Sequence, residues 1–136
     1  MTDKRFVQIG LGSRSEMYSR ALVEVHSGER QLVGLCDTNL GRLNQRAAWA
    51  GEHGVPVKTF PAKEFDRMIE ECKPDCVIVT TPDCFHDLYI CRAMELGCDV
   101  ITEKPMTISA EKCQRILDTQ RATRRKCAVT FNFQLP

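Results

Sequence analysis

Apolar and polar positions fall into alternating blocks along the chain, and these blocks predict strands separated by helices. The apolar runs are residues 5–10, 31–37, 57–60, 75–81, 98–103 and 127–133. Most are nearly continuous and rich in β-branched residues, which is typical of strands buried on both faces of a parallel sheet. We therefore predict six strands.

The segments between these runs have the spacing of amphipathic helices. They cover residues 14–26, 39–51, 62–72, 84–96 and 109–124. Two of the predicted inward faces are made of Phe65, Met68, Ile69 and Cys72, and of Leu88, Cys91, Met94 and Leu96. Five strand–helix units and a final strand predict a Rossmann-type, doubly wound α/β fold with a mainly parallel six-stranded sheet and helices on both faces.

Composition narrows the class of protein but adds no chemistry. The chain has 136 residues, 43% of them hydrophobic and 27% charged, with a net charge of +1. This balance suits one domain with its own core, and it offers no electrostatic attraction to nucleic acid or a membrane surface. Apolar runs are too short to span a bilayer or to serve as a signal peptide. We expect a cytoplasmic protein.

Eight cysteines raise the question of metal or disulfide chemistry. They are Cys36, Cys72, Cys76, Cys84, Cys91, Cys98, Cys113 and Cys127. Their spacings include no C-x-x-C pair, and most lie in apolar stretches where a thiol acts as a small core residue. We interpret them as reduced structural thiols; a metal or redox role is the alternative.

The stretch F-V-Q-I-G-L-G-S-R-S, residues 6–15, resembles the G-x-G-x-x-G turn that binds a dinucleotide pyrophosphate. In that turn the first glycine makes the bend, the second admits the phosphate and the third packs helix against strand. Gly10 and Gly12 meet the first two needs, and Ser15 replaces the third glycine. Ser13 and Arg14 lie within the turn, where Arg14 can contact the pyrophosphate or a 2′-phosphate. The alternative is an ordinary strand-to-helix turn.

Asp37 ends the second predicted strand, 22 residues after Ser15. A carboxylate at this place can accept the ribose hydroxyls of the adenosine half and repels the 2′-phosphate of NADP. We therefore predict NAD as the cofactor, with NADP as the alternative. The competing interpretation is a solvent-facing aspartate before a turn.

Two further motifs follow the fourth and fifth strands, where ligands of such sheets bind. T-T-P-D-C-F-H contributes Thr80, Thr81 and Pro82 to the predicted groove, and His86 is either a cofactor contact or a surface or capping histidine. T-E-K-P-M-T contains Glu103 and Lys104 ahead of a proline, which favours an extended backbone. A partly desolvated lysine there can exchange a proton with a substrate hydroxyl, oriented by the glutamate.

These motifs, with the closing T-F-N-F-Q, resemble in order those of the glucose-fructose oxidoreductase / inositol dehydrogenase / rhizopine-catabolism (Gfo/Idh/MocA) family. The resemblance implies an N-terminal NAD(P)-binding domain, a following substrate domain, and oxidation of a secondary alcohol of a sugar or cyclitol. It implies that Lys104 lies near the nicotinamide and that Asn132 faces the rim of the site. Gln134 stands where many members have arginine.

The family's second catalytic cluster lies in its substrate domain, beyond residue 136. We therefore interpret residues 1–136 as one dinucleotide-binding domain of a longer, homo-oligomeric protein, which alone binds cofactor without turnover. The partner is then a small sugar or polyol substrate. Open alternatives are an NAD-dependent glycosidase of the same family, a non-catalytic NAD sensor and, with the poorest fit to the motifs, a methyltransferase.

Overall fold

Strands and helices alternate in the structure as the sequence predicts. The structure, a computed structural model, describes residues 4–12, 15–25, 30–81, 83–103 and 109–130, with only the backbone of residues 25, 83–86, 103 and 130. The strands are β1 Lys4–Ile9, β2 Arg30–Asp37, β3 Lys58–Pro61, β4 Cys76–Val79, β5 Asp99–Glu103 and β6 Cys127–Thr130. The helices are α1 Glu16–Arg20, α2 Leu40–Glu52, α3 Phe65–Cys72, α4 Asp83–Glu95 and α5 Ala110–Thr123.

All six strands form one parallel sheet in the order β3-β2-β1-β4-β5-β6. The order reverses beside β1, where Ile9 is in register with Cys36 of β2 and with Val79 of β4. In doubly wound sheets the ligand crevice lies outside the carboxyl ends of the strands at this reversal. The fold therefore places the glycine turn, the end of β2 and the end of β4 at one edge.

Two apolar cores cover the two faces of the sheet, as a doubly wound fold requires. One core joins strand residues such as Val7 and Val77 to side chains of α3, α4 and α5. The other joins Phe6 and Ile78 to side chains of α1 and α2. Since successive side chains of a strand point to opposite faces, Gln8 of β1 lies on the same face as Phe6, towards α1 and α2.

The starts of α2 and α5 agree with the predicted ranges 39–51 and 109–124, but two details of the helices differ. Asn39 and Ser109 each accept a hydrogen bond from the backbone N–H three residues on. The predicted helix 14–26 is instead the short α1, which continues as a π-helix over Ala21–Val25. Leu88 was predicted to face inward and is 54% exposed, because α4 turns Ile90 and Met94 towards the sheet.

The described cysteines behave as the sequence suggests. Cys36, Cys72, Cys76, Cys91 and Cys98 are buried, Cys113 and Cys127 are half-buried, and all seven are free thiols. Within the described residues, no cluster of His, Cys, Asp and Glu side chains could hold a metal ion. In the same part of the chain, no helix combines the length and apolar character needed to cross a membrane.

Candidate functional site

Gly10 brings the end of β1 into direct contact with the end of β4. Its φ is +90°, and a Cβ built there would lie 2.6 Å from the carbonyl carbon and oxygen of Thr80 and 2.7 Å from the amide nitrogen of Thr81. The Thr80 hydroxyl donates to the Gly10 carbonyl at 2.6 Å. Glycine is therefore required here by both backbone conformation and space.

At Gly12, nothing in the described part of the chain requires a glycine. A Cβ built there meets no described atom within 4 Å, and its φ lies outside the left-handed range. Neither packing nor backbone conformation of the described residues calls for glycine at this position. An open backbone on this side of the turn is the feature that a phosphate group needs in order to approach.

Ser15 occupies the place of the third glycine and is fully buried. Its amide and its hydroxyl both donate to the carbonyl oxygen of Gly12, at 3.0 Å and 2.5 Å. The hydroxyl also accepts from the Arg46 guanidinium at 3.1 Å. The substitution is thus accommodated by hydrogen bonds that close the turn.

Asp37 lies against the glycine turn rather than projecting into solvent. Its carboxylate is 6% exposed. One oxygen accepts from the amide of Leu11 at 2.7 Å, and the other accepts from the amide of Asn39 at 2.9 Å and the hydroxyl of Thr38 at 3.3 Å. A carboxylate has about four acceptor positions, so capacity for about one further hydrogen bond remains.

The end of β4 supplies a buried polar atom with nothing described to satisfy it. The Thr81 hydroxyl oxygen is inaccessible to solvent and has no hydrogen-bond partner in the described part of the chain. Buried hydroxyls are normally hydrogen-bonded, so such an atom beside Gly10 marks a place for an external group. The open Gly12 backbone, the Asp37 carboxylate and this hydroxyl together fit a dinucleotide.

The structure places the remaining predicted residues unevenly. Glu103 ends β5 next to β4 in the sheet, and Thr102 donates to the Val79 carbonyl at 3.0 Å, so the E-K-P motif starts at the same edge. His86 lies in the first turn of α4. The side chains of both Glu103 and His86 are outside the described structure. Ser13, Arg14, Pro82, Lys104 and Asn132 lie wholly outside the described residues.

Sequence reasoning missed a polar group beneath the turn, made of the buried Gln8 and Ser19 and the half-buried Arg46. Two signals for it were available. Gln8 interrupts an apolar strand, and Arg46 shares the helical face of the buried residues Leu43 and Ala50. Burial lowers the pKa of the Arg46 guanidinium, while the nearby Glu16 and Asp37 carboxylates oppose this change.

A cavity of about 330 Å³ is lined by residues of the glycine turn, α1 and α2. Its walls are Leu11, Glu16, Arg42, Gln45, Arg46 and Trp49.

Comparison with known proteins identifies the family of this chain. The family model of the Gfo/Idh/MocA oxidoreductases, an oxidoreductase family with an NAD-binding Rossmann fold, matches residues 4–131. The putative oxidoreductase YteT of Bacillus subtilis is 33% identical over 132 residues, which cover 96% of this chain and 31% of YteT. Glycosyl hydrolase family 109 protein 1 of Akkermansia muciniphila is 30% identical, covering 94% of this chain and 27% of its own length.

A solved structure shows the same fold. The WlbA dehydrogenase from Chromobacterium violaceum, in complex with NADH and UDP-GlcNAcA, superposes with a TM-score of 0.85 at 25% identity, covering 96% of this chain and 35% of WlbA. This chain therefore spans about a third of the length of the relatives that it matches. By its motifs, its strand order and the family match across nearly all its residues, the chain belongs to the Gfo/Idh/MocA oxidoreductase family as an NAD-binding Rossmann domain.

Proposed function

We propose that this chain is the cofactor-binding domain of an NAD-dependent dehydrogenase that acts on a secondary alcohol or ketone of a sugar or cyclitol. The observation that carries the proposal is Gly12, whose backbone is open where nothing in the described chain requires glycine. Its position beside the buried Asp37 carboxylate, joined to it through Leu11, supports a dinucleotide as the ligand. The WlbA dehydrogenase, whose structure contains NADH and a nucleotide sugar, supports the substrate class.

In this proposal, residues at the carboxyl ends of the strands each contact a different part of the cofactor. Gly10 and Gly12, with Ser13, Arg14 and Ser15, hold the pyrophosphate, and Asp37 holds the adenosine ribose. Thr80, Thr81 and Pro82 border the groove. His86 contacts the cofactor or the helix beside it, and Asn132 faces the rim.

Bound NAD supplies the hydride acceptor of such a reaction. The chain's own contribution to the chemistry is then the movement of a proton. We assign Lys104 to exchange a proton with the substrate hydroxyl and Glu103 to orient the lysine. In the full-length protein, Lys104→Ala should abolish turnover while NAD binding persists. An NAD sensor would keep its response in this variant.

The substrate domain belongs to the proposal as well. Because the relatives are about three times as long, we infer that a second domain binds the sugar or polyol, and that residues 1–136 alone bind cofactor without turnover. Cytoplasmic location and homo-oligomeric assembly of the full-length protein remain part of the proposal. Steady-state oxidation by the 136-residue chain would contradict it.

Calorimetric titration of the full-length protein with NAD and NADP tests the cofactor assignment. We expect NAD to bind at least roughly tenfold more tightly than NADP, because a 2′-phosphate beside the Asp37 carboxylate places like charges together. Asp37→Asn keeps the side-chain size and removes the charge, so it should narrow this ratio. Tighter binding of NADP by the wild-type protein would contradict the assignment.

A second function is favoured by one comparison, the glycosyl hydrolase family 109 protein. A relative of that kind would cleave a glycosidic bond. Product analysis of the full-length protein with a glycoside separates the two. A dehydrogenase accumulates NADH in proportion to oxidised sugar, whereas a glycosidase releases free sugar without accumulation of NADH.

A further inference from the structure

Arg46 donates hydrogen bonds to two buried serine residues beneath the glycine turn, Ser15 and Ser19, and from each a series of hydrogen bonds leads to a carbonyl of that turn. The first series is short. One guanidinium nitrogen donates to the Ser15 hydroxyl at 3.1 Å, and that hydroxyl donates to the Gly12 carbonyl at 2.5 Å. Arginine has no acceptor, so the hydroxyl must spend its single proton on the Gly12 carbonyl.

The second series of hydrogen bonds runs from α2 through α1 and β1 to the residue that follows β4. Arg46 donates to the Ser19 hydroxyl at 2.7 Å, and Ser19 donates to the amide oxygen of Gln8 at 2.7 Å. The amide nitrogen of Gln8 donates to the Thr80 hydroxyl at 3.1 Å, and Thr80 donates to the Gly10 carbonyl at 2.6 Å. In each of these hydrogen bonds the donor is the group nearer to Arg46 along the series.

The orientation of the Gln8 amide is fixed by a third contact. Its nitrogen also donates to the Ser15 carbonyl at 3.0 Å, and a carbonyl can only accept. Gln8 and Ser19 are completely buried, so neither side chain can turn to water for a different partner. Two groups therefore set the directions: the Arg46 guanidinium, which can only donate, at the Ser15 and Ser19 hydroxyls, and the Ser15 carbonyl, which can only accept, at the Gln8 amide.

The consequence concerns the carbonyl oxygens of both glycines. The Gly10 carbonyl accepts from the Thr80 hydroxyl, and the Gly12 carbonyl accepts from both the hydroxyl and the amide of Ser15, so both oxygens are engaged by groups of the fold. On the other side of the Gly10 peptide, the Leu11 amide points to the Asp37 carboxylate. Carbonyl oxygens carry partial negative charge, and a turn that is to accept a phosphate must keep them away from it.

We propose that Arg46 is a positioning residue for dinucleotide binding, because it donates to the Ser15 and Ser19 hydroxyls, from which two series of hydrogen bonds lead to the Gly12 and Gly10 carbonyls. The inference rests on the proposed function, since it requires the turn to bind NAD. It also accounts for Ser15, because a third glycine would offer Arg46 no hydroxyl.

The test compares two arginines of α2 in the full-length protein. Arg46→Met removes the guanidinium that donates to the Ser15 and Ser19 hydroxyls. Arg42→Met removes an equal charge one helical turn earlier, from a residue that lines the same cavity. Titration with NAD should show roughly tenfold weaker binding for Arg46→Met, from the loss of charge-assisted hydrogen bonds. Arg42→Met should stay within about threefold of wild type. In turnover, KM for NAD rises in Arg46→Met while kcat at saturating NAD stays within about twofold, a split that a loss of folded protein would not give.

Equal weakening in both variants would overturn the inference in favour of a net-charge effect. Wild-type affinity in folded Arg46→Met would overturn it outright. If Arg46→Met does not fold, Ser15→Ala breaks the first series alone, and its NAD affinity should fall roughly threefold or more; unchanged affinity contradicts the inference. Failure of the wild-type protein to bind NAD would instead contradict the proposed function together with this inference.

Discussion

At the scale of single residues, two glycines two positions apart serve different purposes. Gly10 has φ +90° and touches the Thr80 backbone, so the fold itself needs it. Gly12 has an ordinary φ and free space around it, so its requirement comes from outside the described chain. Both residues are glycine in the sequence. The structure shows which of them the fold requires, Gly10, and which is left open for a ligand, Gly12.

Gly10→Ala should therefore destabilise the protein strongly. The new Cβ combines an unfavourable φ with backbone overlap at Thr80, and we expect the free energy of unfolding to fall by about 3 kcal/mol or more. Urea unfolding followed by circular dichroism measures this. Gly51→Ala, in α2 with nothing described within 4 Å of its Cβ, is the matched control and should be neutral or stabilising. Equal unfolding midpoints for wild type and Gly10→Ala would contradict the packing account.

At the scale of elements, a buried carboxylate on α4 pairs with two partly exposed cations on α5. The Asp87 side chain is 2% exposed and accepts from Arg115 at 2.8 Å, while its other oxygen lies 3.6 Å from the ammonium of Lys112. The pair holds α5 against α4. Removing the arginine leaves the buried Asp87 carboxylate with less compensation for its charge.

Arg115→Met should lower the free energy of unfolding by about 1 to 2 kcal/mol, since Lys112 compensates in part. Arg67→Met is the matched control. Arg67 pairs with Glu64 and Glu71 on the exposed side of α3, and pairs of this kind contribute little. Thermal and urea unfolding of both variants compare them directly. A larger effect at Arg67 than at Arg115 would refute the distinction.

Much of this level was predictable from the sequence, for identifiable reasons. Apolar runs, most of them nearly continuous, predicted all six strands, because burial leaves a local signature. The predicted helices 39–51 and 109–124 start at Asn39 and Ser109, and the structure shows both residues as N-caps. The prediction that Leu88 faces inward was wrong, because apolar residues lie on more than one side of this helix and their pattern does not show which side meets the sheet. The Gln8–Ser19–Arg46 group was missed because its members are distant in sequence and meet only through the packing of β1, α1 and α2. The roles of His86, Glu103 and Lys104 stay predictions, because the structure does not describe the side chains of these residues.

At the scale of the whole molecule, buried thiols make the fold sensitive to alkaline pH. Burial raises the pKa of Cys36 to about 12, helped by the Asp37 and Glu64 carboxylates, and raises that of Cys98 to about 11. Desolvation also raises the pKa of Cys76. Above the ordinary thiol value of 9.0, the unfolded chain releases protons that the native state retains.

Stability should therefore be unaffected by these thiols below pH 9 and should fall as the pH rises towards 11. Each thiol contributes a slope of up to about 1.4 kcal/mol per pH unit in that window. Urea unfolding at pH 8, 9 and 10 measures the slope. Cys36→Ala removes one thiol and should show a shallower decline than wild type. Identical slopes would contradict the role of Cys36.

The described residues form two apolar cores, one on each face of the sheet, and the proposed cofactor site lies at the carboxyl ends of the strands. This arrangement allows a substitution at the site to change binding without disturbing the cores. Gly12 is the position at which the structure permits that separation most cleanly, because a methyl group there meets no described atom within 4 Å.

Calorimetric titration of the Gly12→Ala protein with NAD, beside wild type and Gly51→Ala, tests the central claim most directly. We predict that Gly12→Ala unfolds within about 1 kcal/mol of wild type and binds NAD at least roughly tenfold more weakly, because its methyl group occupies the space that the pyrophosphate needs. Gly51→Ala should bind as wild type does. Wild-type affinity in a folded Gly12→Ala protein would show that the open turn is not where the dinucleotide binds.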